Sequence, residues 1–302
     1  MDAADQDLSP WVGKRQTVVD TISPVQVRQM AATLNDAQRL QRPDSRPLPA
    51  GWHWLFFNPV VLQSGLGPDG HPMRGDFLPP VALERRMWAG SRLVWQRPFA
   101  VGTVVEKTSE ILRISRKTGR TGEMVFVTVA HSYRDGDGSI LEEEQDIVYR
   151  GPPSPADSAA LAELGAQVRA GRHAFEREGQ YLQAVVVDPV MLYRYSAATF
   201  NGHRIHYDAD YCRTVEGYPG RVVHGPLIAT LLLNLIETRV APGRFVRSFE
   251  FKALRPTFDL SGFHLHAAPT PGLGDTAIPL WSTDNLGQVA LDGRVTLQGS
   301  AR

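Results

Sequence analysis

The feature of this sequence that most constrains its fold is an internal repeat across the 302-residue chain. Residues 18–35 run from Val-Val-Asp to Ala-Ala-Thr-Leu-Asn, and residues 186–201 run from Val-Val-Asp-Pro-Val to Ala-Ala-Thr-Phe-Asn. Further on, the Arg-Pro-Phe…Gly of residues 97–102 matches the Arg-Pro-Thr-Phe…Gly of residues 255–262. A repeated order of motifs predicts one structural unit per copy, so the chain should fold as two similar halves.

A proline-rich stretch lies almost at the midpoint and predicts the boundary between the copies. Gly151-Pro152-Pro153-Ser154-Pro155 combines three prolines with small residues, a composition typical of linkers. We therefore divide the chain into an N-terminal half (1–150), a linker (151–160) and a C-terminal half (161–302).

Each copy is predicted to contain a short strand, a helix of about three turns, an irregular stretch, a second helix and several long strands. In the C-terminal copy the second helix, Pro226–Arg239, is apolar on nearly every side, which indicates that other elements wrap it. Hairpin turns are expected at Arg113–Arg120 and Asp135–Gly138. The predicted strands are Leu93–Trp95, Val104–Ser115, Met124–Arg134, Ile140–Tyr149, Phe245–Leu254, Phe263–Ala268, Ala277–Trp281 and Val289–Leu297. A buried helix embraced by an antiparallel sheet in each half gives an α+β tandem fold.

Composition excludes several classes of protein. The 32 basic and 32 acidic residues balance to zero net charge, so neither a generally basic nucleic-acid binder nor an acidic disordered chain is expected. The single cysteine, Cys212, excludes an intrachain disulfide and a multi-thiolate zinc site. The first residues are acidic and polar, and the most apolar run, Leu227–Ile236, is too short to span a bilayer. We expect a cytoplasmic protein without membrane or nucleic-acid partners.

The densest polar cluster is the segment Phe-Asn-Gly-His-Arg-Ile-His-Tyr-Asp at residues 200–208. Imidazole and carboxylate groups here are ordinary metal ligands, but a loop with two histidines three positions apart is common by chance. The expectation is therefore that no metal binds. The groups considered as ligands are His203, His206, Asp208 and Asp210.

The repeat favours a different role for His206. With Asn35 aligned to Asn201, the position of His206 is occupied by Leu40 in the first copy. This asymmetry suggests a base that only the second half carries, whereas the alternative is a loop histidine bonded to Asp208.

A second feature is Val222-Val223-His224-Gly225-Pro226, immediately before the apolar helix. A helix N-terminus presents free N–H groups with partial positive charge, and proline suits the first turn. The alternatives are an ordinary tight turn and an oxyanion hole formed by the N–H of Gly225.

Together these residues resemble the R-specific enoyl-thioester hydratase motif of the MaoC-like hotdog family. There an acidic residue precedes a histidine by five positions, His-x-Asp follows, and a His-Gly turn opens the helix. The matching positions here are Asn201, His206–Asp208 and Val222–Gly225. The strings at residues 85–90 and 145–150 are similar to a subset containing mitochondrial 3-hydroxyacyl-thioester dehydratases and mesaconyl-C4-CoA (itaconyl-CoA) hydratases.

The resemblance implies a double hotdog with a catalytically degenerate N-terminal half, which reversibly hydrates an α,β-unsaturated acyl thioester. It implies His206 as the base, Asn201 as the group that orients water, and Gly225 as the donor to the thioester oxygen. A carboxamide cannot take a proton from water, so Asn201 implies a variant of the family's mechanism. The resemblance implies no cofactor beyond the CoA of the substrate. Substrate-binding candidates are Tyr195, Arg204 and His224.

Several alternatives stay open at this stage. Arg204 either pairs with a second substrate carboxylate, which favours mesaconyl-C4-CoA or itaconyl-CoA, or saturates local groups. A fatty-acyl dehydratase acting on CoA or carrier-protein thioesters is the second candidate, and a homodimer is open. A thioesterase is disfavoured by Asn201, and a non-catalytic acyl-thioester-binding protein is the alternative from another class. A cluster of basic residues has two interpretations. It either contacts CoA phosphates or a carrier protein, or it forms an exposed hairpin without a ligand. Its members are Arg113, Arg116, Lys117 and Arg120.

Overall fold

In the part of the chain that the structure describes, ten strands form one continuous antiparallel sheet. The computed structural model describes residues 6–119, 122–152, 154–170, 174–269 and 277–298. The strands are β1 (Arg15–Thr21), β2 (Arg85–Trp95), β3 (Val104–Gly119), β4 (Gly122–Asp135), β5 (Gly138–Arg150), β6 (Tyr181–Val185), β7 (Val246–Ala253), β8 (Phe263–Ala267), β9 (Ile278–Thr283) and β10 (Val289–Leu297).

The strand order demonstrates the repeat. It is β1-β3-β4-β5-β2 in the N-terminal half and, after the β2–β7 junction, β7-β10-β9-β8-β6 in the C-terminal half, which is the same order read backwards. At the junction Arg92 faces Glu250, with Ser91 opposite Phe251 and Leu93 opposite Phe249 on either side. This pairing is symmetric about its centre, so a local two-fold relation connects the halves. The α+β class predicted from the sequence is confirmed.

The helices differ between the halves. Only the C-terminal half has the predicted long central helix, α6, which a π-helical turn extends through Val240. In the N-terminal half a short 3-10 turn, Trp52–Leu55, takes that place, so the prediction of a second central helix there is wrong. The α-helices are α1 (Pro24–Thr33), α2 (Ala37–Gln41), α3 (Pro155–Ala170), α4 (Pro189–Ala198), α5 (Ala209–Thr214) and α6 (Gly225–Leu235).

The helix α6 lies at the centre of the molecule. It packs against strands β8, β9 and β10 of its own half, and eight of its residues are buried. Across the halves, an added Cβ at Gly51 would lie 3.1 Å from a methyl of Leu233. The carboxylate of Glu237, in the π turn, accepts the N–H of Ala50 at 3.1 Å. The N-terminal 3-10 segment is thereby fixed onto the helix of the other half.

Two sequence predictions about connections need correction. The helix α3 begins at Pro155, so much of the predicted linker 151–160 is helical. Residues 113–119 continue strand β3 instead of forming a turn, because the hairpin closes farther along, between Gly119 and Gly122. Arg120 lies outside the described residues. The predicted turn at Asp135–Gly138 is confirmed.

The alignment of the two copies is also shifted by one residue. Two residues after the end of α1 and of α4 comes a residue with left-handed backbone geometry, Asn35 (φ 58°) in one half and Phe200 (φ 48°) in the other. The next N–H, of Asp36 or Asn201, donates to a carbonyl five residues back at 2.8 Å. Asn35 therefore corresponds to Phe200 and not to Asn201, so the assumed equivalence of Leu40 and His206 is wrong.

The described part of the chain contains no helix long and apolar enough to cross a bilayer.

Candidate active site

The polar cluster of the C-terminal half is a loop that the N-terminal half lacks. In the first copy Asp36 follows the left-handed residue directly and caps α2 by accepting the N–H of Arg39. In the second copy residues 201–207 intervene before Asp208 caps α5 by accepting the N–H of Tyr211. The asymmetry between the copies is therefore an inserted loop, which we call the catalytic loop (residues 201–207).

Asn201 begins the catalytic loop and holds its first turn. Its side-chain oxygen accepts the backbone N–H of His203 at 3.0 Å, an Asx turn that fixes the amide. The side-chain NH₂ is thereby left as the group that can act on a ligand, and Asn201 lines the central cavity. The residue can donate a hydrogen bond to a water oxygen but cannot remove its proton.

His206 is held as a neutral base. Its Nδ1 lies 2.8 Å from the carbonyl oxygen of Val222, and only a protonated Nδ1 can donate to that acceptor. The lone pair therefore resides on Nε2. Burial lowers the pKa of His206 to about 4, although the bond to Val222 opposes this shift. The ring lines the cavity and is neutral at pH 7.

His224 lies behind His206 and does not line the cavity. The two imidazole rings stack with centroids 3.7 Å apart and an angle of 19°. The Nε2 of His224 is 2.8 Å from the hydroxyl of Ser196, and its ring also contacts the Tyr195 ring at 4.8 Å. Burial lowers the pKa of His224, so the stacked pair is neutral. The structure thus places His224 as a support for His206, while Tyr195 lines the cavity.

The N-terminus of α6 lacks a cap. Side chains cap α1, α2, α4 and α5, but none caps α6 within the described residues. The N–H of Gly225 has no acceptor in the same part of the structure, and Gly225 lines the cavity. A residue before proline is disfavoured in the helical region partly by its Cβ, which glycine lacks, so Gly225 can start the helix ahead of Pro226. A free donor at the positive end of a helix is suited to bind a developing oxyanion.

The N-terminal half contributes a loop to the same site. A Cβ on Gly70 (φ 86°) would lie 1.9 Å from the carbonyl oxygen of Gly202, so the two loops meet backbone to backbone. Next to this contact the N–H of Arg204 donates to the carbonyl of Asp69 at 2.9 Å. The imidazole of His71 lies over that of His203 with centroids 4.0 Å apart. The first half is therefore part of the site rather than a lid alone.

The proposed metal ligands of the catalytic loop are not assembled. Asp208 is taken by Arg204 and the α5 cap, and Asp210 is exposed and paired with Arg213. A different trio, Asp69, His71 and His203, has ligand atoms within 4.8 Å of one another. Both carboxylate oxygens of Asp69 already accept hydrogen bonds from His71, one from its ring and one from its backbone. The trio is thus explained by hydrogen bonding within the loop.

The structure supports the alternative in which Arg204 bonds to nearby protein groups and not to a substrate carboxylate. Its guanidinium pairs with Asp208 at 2.7 Å, donates to the carbonyl of Pro68 and lies over the ring of Tyr211. The side chain is not among those that line the cavity. Arg204 therefore fixes the catalytic loop to the loop of the N-terminal half.

One cavity of about 1460 Å³ joins the catalytic loop to the inner face of the N-terminal sheet. Sequence reasoning missed His71 and Arg86, which line it from the N-terminal half. The signals were weak: His71 ends a Gly-Pro-Asp-Gly-His stretch, and Arg86 appeared only within a string of family resemblance. The lining on the N-terminal side includes a group of aromatic side chains, among them Trp54, Phe56, Phe57, Trp88 and Tyr133.

Known proteins of similar sequence match most of the chain. The family model described as "Hydroxyacyl-thioester dehydratase type 2" matches residues 51–259. The chain is 41% identical to a protein of Chloroflexus aurantiacus named mesaconyl-C(4)-CoA hydratase, over 97% of this chain and 99% of that protein. It is 27% identical to the mitochondrial type 2 hydroxyacyl-thioester dehydratase of Schizosaccharomyces pombe, over 70% of this chain and 74% of the relative.

The fold comparison identifies the architecture. A Mycobacterium tuberculosis protein described as having a double hotdog fold superposes with a TM-score of 0.54. The match covers 99% of this chain and 98% of that protein at 15% identity. The predicted double hotdog is confirmed at the level of the fold, with the difference in the N-terminal helix noted above.

Proposed function

The chain belongs to the type 2 hydroxyacyl-thioester dehydratase family, and we propose that it reversibly hydrates a short dicarboxylyl-CoA thioester such as mesaconyl-C4-CoA or itaconyl-CoA. The observation that carries this proposal is the presence of a neutral histidine and an uncapped helix N-terminus on one cavity. These two groups supply the base and the oxyanion donor that the reaction requires.

In the proposed mechanism His206 is both base and acid. Its Nε2 takes a proton from water while the oxygen of that water attacks the β-carbon of the enoyl thioester. The electron pair of the double bond moves toward the thioester carbonyl and produces an enolate. The protonated His206 then delivers its proton to the α-carbon, which gives the 3-hydroxyacyl product and restores the neutral ring.

The enolate oxygen is stabilised by the N–H of Gly225 together with the positive end of α6. A single donor of this kind is worth about 2.7–4 kcal/mol of transition-state stabilisation. Water addition to a thioester-activated double bond is acid–base chemistry, so the proposal includes no cofactor beyond the CoA of the substrate.

Asn201 orients the attacking water through its side-chain NH₂. Its amide also removes a charge that would oppose an anionic acyl group. At roughly 6 Å and an effective dielectric constant of about 20, two negative charges repel by about 3 kcal/mol. A neutral residue at position 201 is therefore compatible with a substrate that carries a carboxylate on its β-carbon.

The substrate class follows from the 41% identical relative, whose name gives mesaconyl-C4-CoA. The second candidate is dehydration of a 3-hydroxyacyl-CoA or carrier-protein thioester in fatty-acid metabolism, which the family description favours. The aromatic lining on the N-terminal side of the cavity supports it, because apolar walls suit a longer acyl chain.

The test is the loss of enoyl-thioester absorbance on addition of the purified protein. The substrates are crotonyl-CoA, a longer enoyl-CoA, itaconyl-CoA and mesaconyl-C4-CoA, with His206→Ala measured in parallel. Fastest hydration of a dicarboxylyl thioester supports the proposal, and fastest hydration of the long chain supports the second candidate.

Two results would lead to another function. Binding of the thioesters without turnover in a folded protein would favour the non-catalytic acyl-thioester-binding alternative. Release of free CoA thiol would favour a thioesterase.

The proposal also includes the cellular compartment, the carrier of the thioester and the oligomeric state. We propose that it acts in the cytoplasm on CoA rather than carrier-protein thioesters, and that it forms a homodimer. Activity toward the same acyl group on CoA and on a carrier protein tests the first point, and light scattering of the purified protein tests the second.

A further inference from the structure

Six cationic side chains line the cavity, and three of them are held by ion pairs or hydrogen bonds. Arg74 donates to backbone carbonyls of Val81, Leu83 and Glu84, and Arg85 pairs with Glu216 at 2.8 Å. Arg255 bonds Gln288 and approaches Glu176 at 3.9 Å. The remaining three make no ion pair with any residue that the structure describes: Arg86, Lys107 and Arg150.

Lys107 and Arg150 face other groups. Lys107 lies over the Tyr133 ring at 5.5 Å, and its charge is offset by the buried carboxylate of Glu143. Arg150 acts electrostatically on Asp157 and Tyr218, near the start of α3. Neither cation is positioned beside the catalytic loop.

Arg86 lies beside the reacting groups. It is on β2, opposite Tyr149, with whose side chain it also interacts. It lies two positions before Trp88, with which it shares a face of the sheet. Burial lowers the pKa of both His71 and His203, and the charge of Arg86 adds to the lowering in each case. The ring of His203 in turn contacts that of His206 with centroids 5.5 Å apart.

Asp69 interacts with the charge of Arg86, which helps to lower the pKa of that carboxyl, but does not pair with it. Both oxygens of Asp69 are bonded to His71, and Asp69 forms no ion pair with Arg86. On the catalytic side Asn201 is neutral. This part of the cavity therefore has a cation whose charge no described carboxylate contacts directly.

The chemistry of the substrate specifies where such a cation is needed. In mesaconyl-C4-CoA the free carboxylate is attached to the same β-carbon that water attacks. A group that recognises it must therefore lie beside the water-activating residues and not at the far end of the cavity. A guanidinium binds carboxylates with two parallel hydrogen bonds, which also fixes their orientation.

We propose that Arg86 binds the free carboxylate of the acyl group and thereby makes the enzyme prefer dicarboxylyl over monocarboxylyl thioesters. This inference rests on the proposed function, and it assigns to the N-terminal half the choice of substrate at a reaction that the C-terminal half carries out.

The test compares mesaconyl-C4-CoA with crotonyl-CoA, an enoyl thioester of the same chain length that carries a methyl where mesaconyl-C4-CoA has its carboxylate trans to the thioester. Arg86→Gln should lower kcat/KM for mesaconyl-C4-CoA by about 100-fold and leave kcat/KM for crotonyl-CoA within about threefold. Arg86→Lys, which keeps the charge, should restore part of the preference. The matched controls, Arg150→Gln and Lys107→Gln, remove the two other unpaired cations and should leave the ratio between the substrates nearly unchanged.

Four outcomes would overturn the inference. They are an equal loss for both substrates in Arg86→Gln, an unchanged ratio, a shift of the ratio caused instead by a control variant, and a wild-type enzyme that does not prefer mesaconyl-C4-CoA. The last outcome would also overturn the dicarboxylyl substrate of the proposed function, whereas hydration of crotonyl-CoA would keep the reaction itself. The first three outcomes overturn the role of Arg86 alone.

If the wild type hydrates no thioester, the proposed function fails but Arg86 can still be tested. Calorimetric binding of the saturated analogues methylsuccinyl-C4-CoA and butyryl-CoA provides the same comparison without turnover. Wild type should bind the dicarboxylyl analogue more tightly, and Arg86→Gln should abolish the difference. Equal discrimination by both proteins would refute the role of Arg86.

Discussion

The two halves of the molecule share a strand order but differ in whether important polar groups have hydrogen-bond partners within the protein. In the N-terminal half the buried carboxylate of Glu143 accepts hydrogen bonds from Trp54, Ser91, His53 and Tyr133. In the C-terminal half the N–H of Gly225 and the Nε2 of His206 face a cavity without a protein partner in the described structure. Buried groups that are satisfied stabilise a fold, whereas polar groups left open toward a cavity are available to a ligand.

The comparison also shows which features of the site belong to one copy alone. The inserted catalytic loop and the uncapped α6 are both absent from the first half, where Asp36 caps α2 directly and a 3-10 turn replaces the helix. The first half instead contributes His71 and Arg86 across the interface. In the proposed function the two halves therefore have different roles. Variants in each half should separate effects on catalysis from effects on stability.

The largest effect is expected from His206→Ala. Loss of the base should lower kcat by about 10³-fold, within the range typical of general acid–base catalysis, without unfolding the protein. Leu40→Ala, on exposed α2 of the other half, should change kcat little. Turnover and circular dichroism of both variants check this, and comparable losses of activity would contradict a single catalytic centre.

Gly70→Ala should be the next most damaging change. The new Cβ would meet the backbone of Gly202, so the loop of the N-terminal half must move away from the catalytic loop. A displacement of about 1 Å can cost about 10²-fold in rate. Gly75→Ala is the control, since it has the same kind of backbone strain (φ 103°) but its Cβ would lie 3.8 Å from the nearest atom. Equal kcat values for the two variants would show that the contact between the halves is not needed.

Asn201→Asp tests whether a negative charge at position 201 opposes binding of a substrate that carries a carboxylate. The carboxylate can still accept the N–H of His203, so the loop should keep its conformation. Repulsion of about 3 kcal/mol should lower kcat/KM for mesaconyl-C4-CoA by about 100-fold relative to crotonyl-CoA. Steady-state kinetics with both substrates measures the ratio, and a gain specific to mesaconyl-C4-CoA would argue against a carboxylate bound nearby.

Glu143→Gln should reduce stability and spare catalysis. An amide cannot accept all four donors, and a mispaired buried group costs about 1–3 kcal/mol of unfolding free energy. Glu144→Gln is the control, because that carboxylate lies on the partly exposed opposite face of β5 beside Arg92, where an ion pair contributes about 0–1 kcal/mol. Urea unfolding gives both values. A large loss of kcat with unchanged stability would instead assign Glu143 to the reaction.

The smallest effect is a shared dependence on pH. Burial lowers the pKa of His206 to about 4 in the folded protein and that of His131, in the N-terminal half, to about 3. Between these values and about 6.5 the unfolded chain binds more protons, so stability rises with pH across this window and falls on acidification. Each histidine contributes up to about 1.4 kcal/mol per pH unit within the window.

Substituting either histidine with asparagine should reduce that slope by a similar amount in urea unfolding between pH 5 and 7. Only His206→Asn should also remove activity. For the wild type kcat/KM should be flat above about pH 5.5 and fall toward pH 4, where the base becomes protonated. A bell-shaped dependence of kcat/KM on pH, with its acidic limb near neutral pH, would show that the titration of a group other than His206 controls activity.

Much of the fold could be predicted from the sequence, because strands with period-two patterning and an all-apolar helix are local signals. Strand β10 agrees with its predicted bounds, and α6 begins one residue before the predicted Pro226. The central helix of the first half was predicted from the repeat alone, and that inference failed, since homologous copies keep a sheet while replacing what packs on it. The one-residue alignment shift had the same origin.

The sequence by itself determined the repeat, the class of fold, and the His-x-Asp and His-Gly motifs, because these depend on residue types and short spacings. Only the tertiary structure decided that Arg204 forms an ion pair with Asp208 and that the ring of His224 stacks behind that of His206. It also decided that His71 and Arg86 of the other half line the cavity. These facts depend on contacts between segments more than a hundred residues apart or on the direction of one side chain. No local pattern encodes either, because the direction of a side chain is set by packing within the C-terminal half and the distant contacts form only when the two halves pack together.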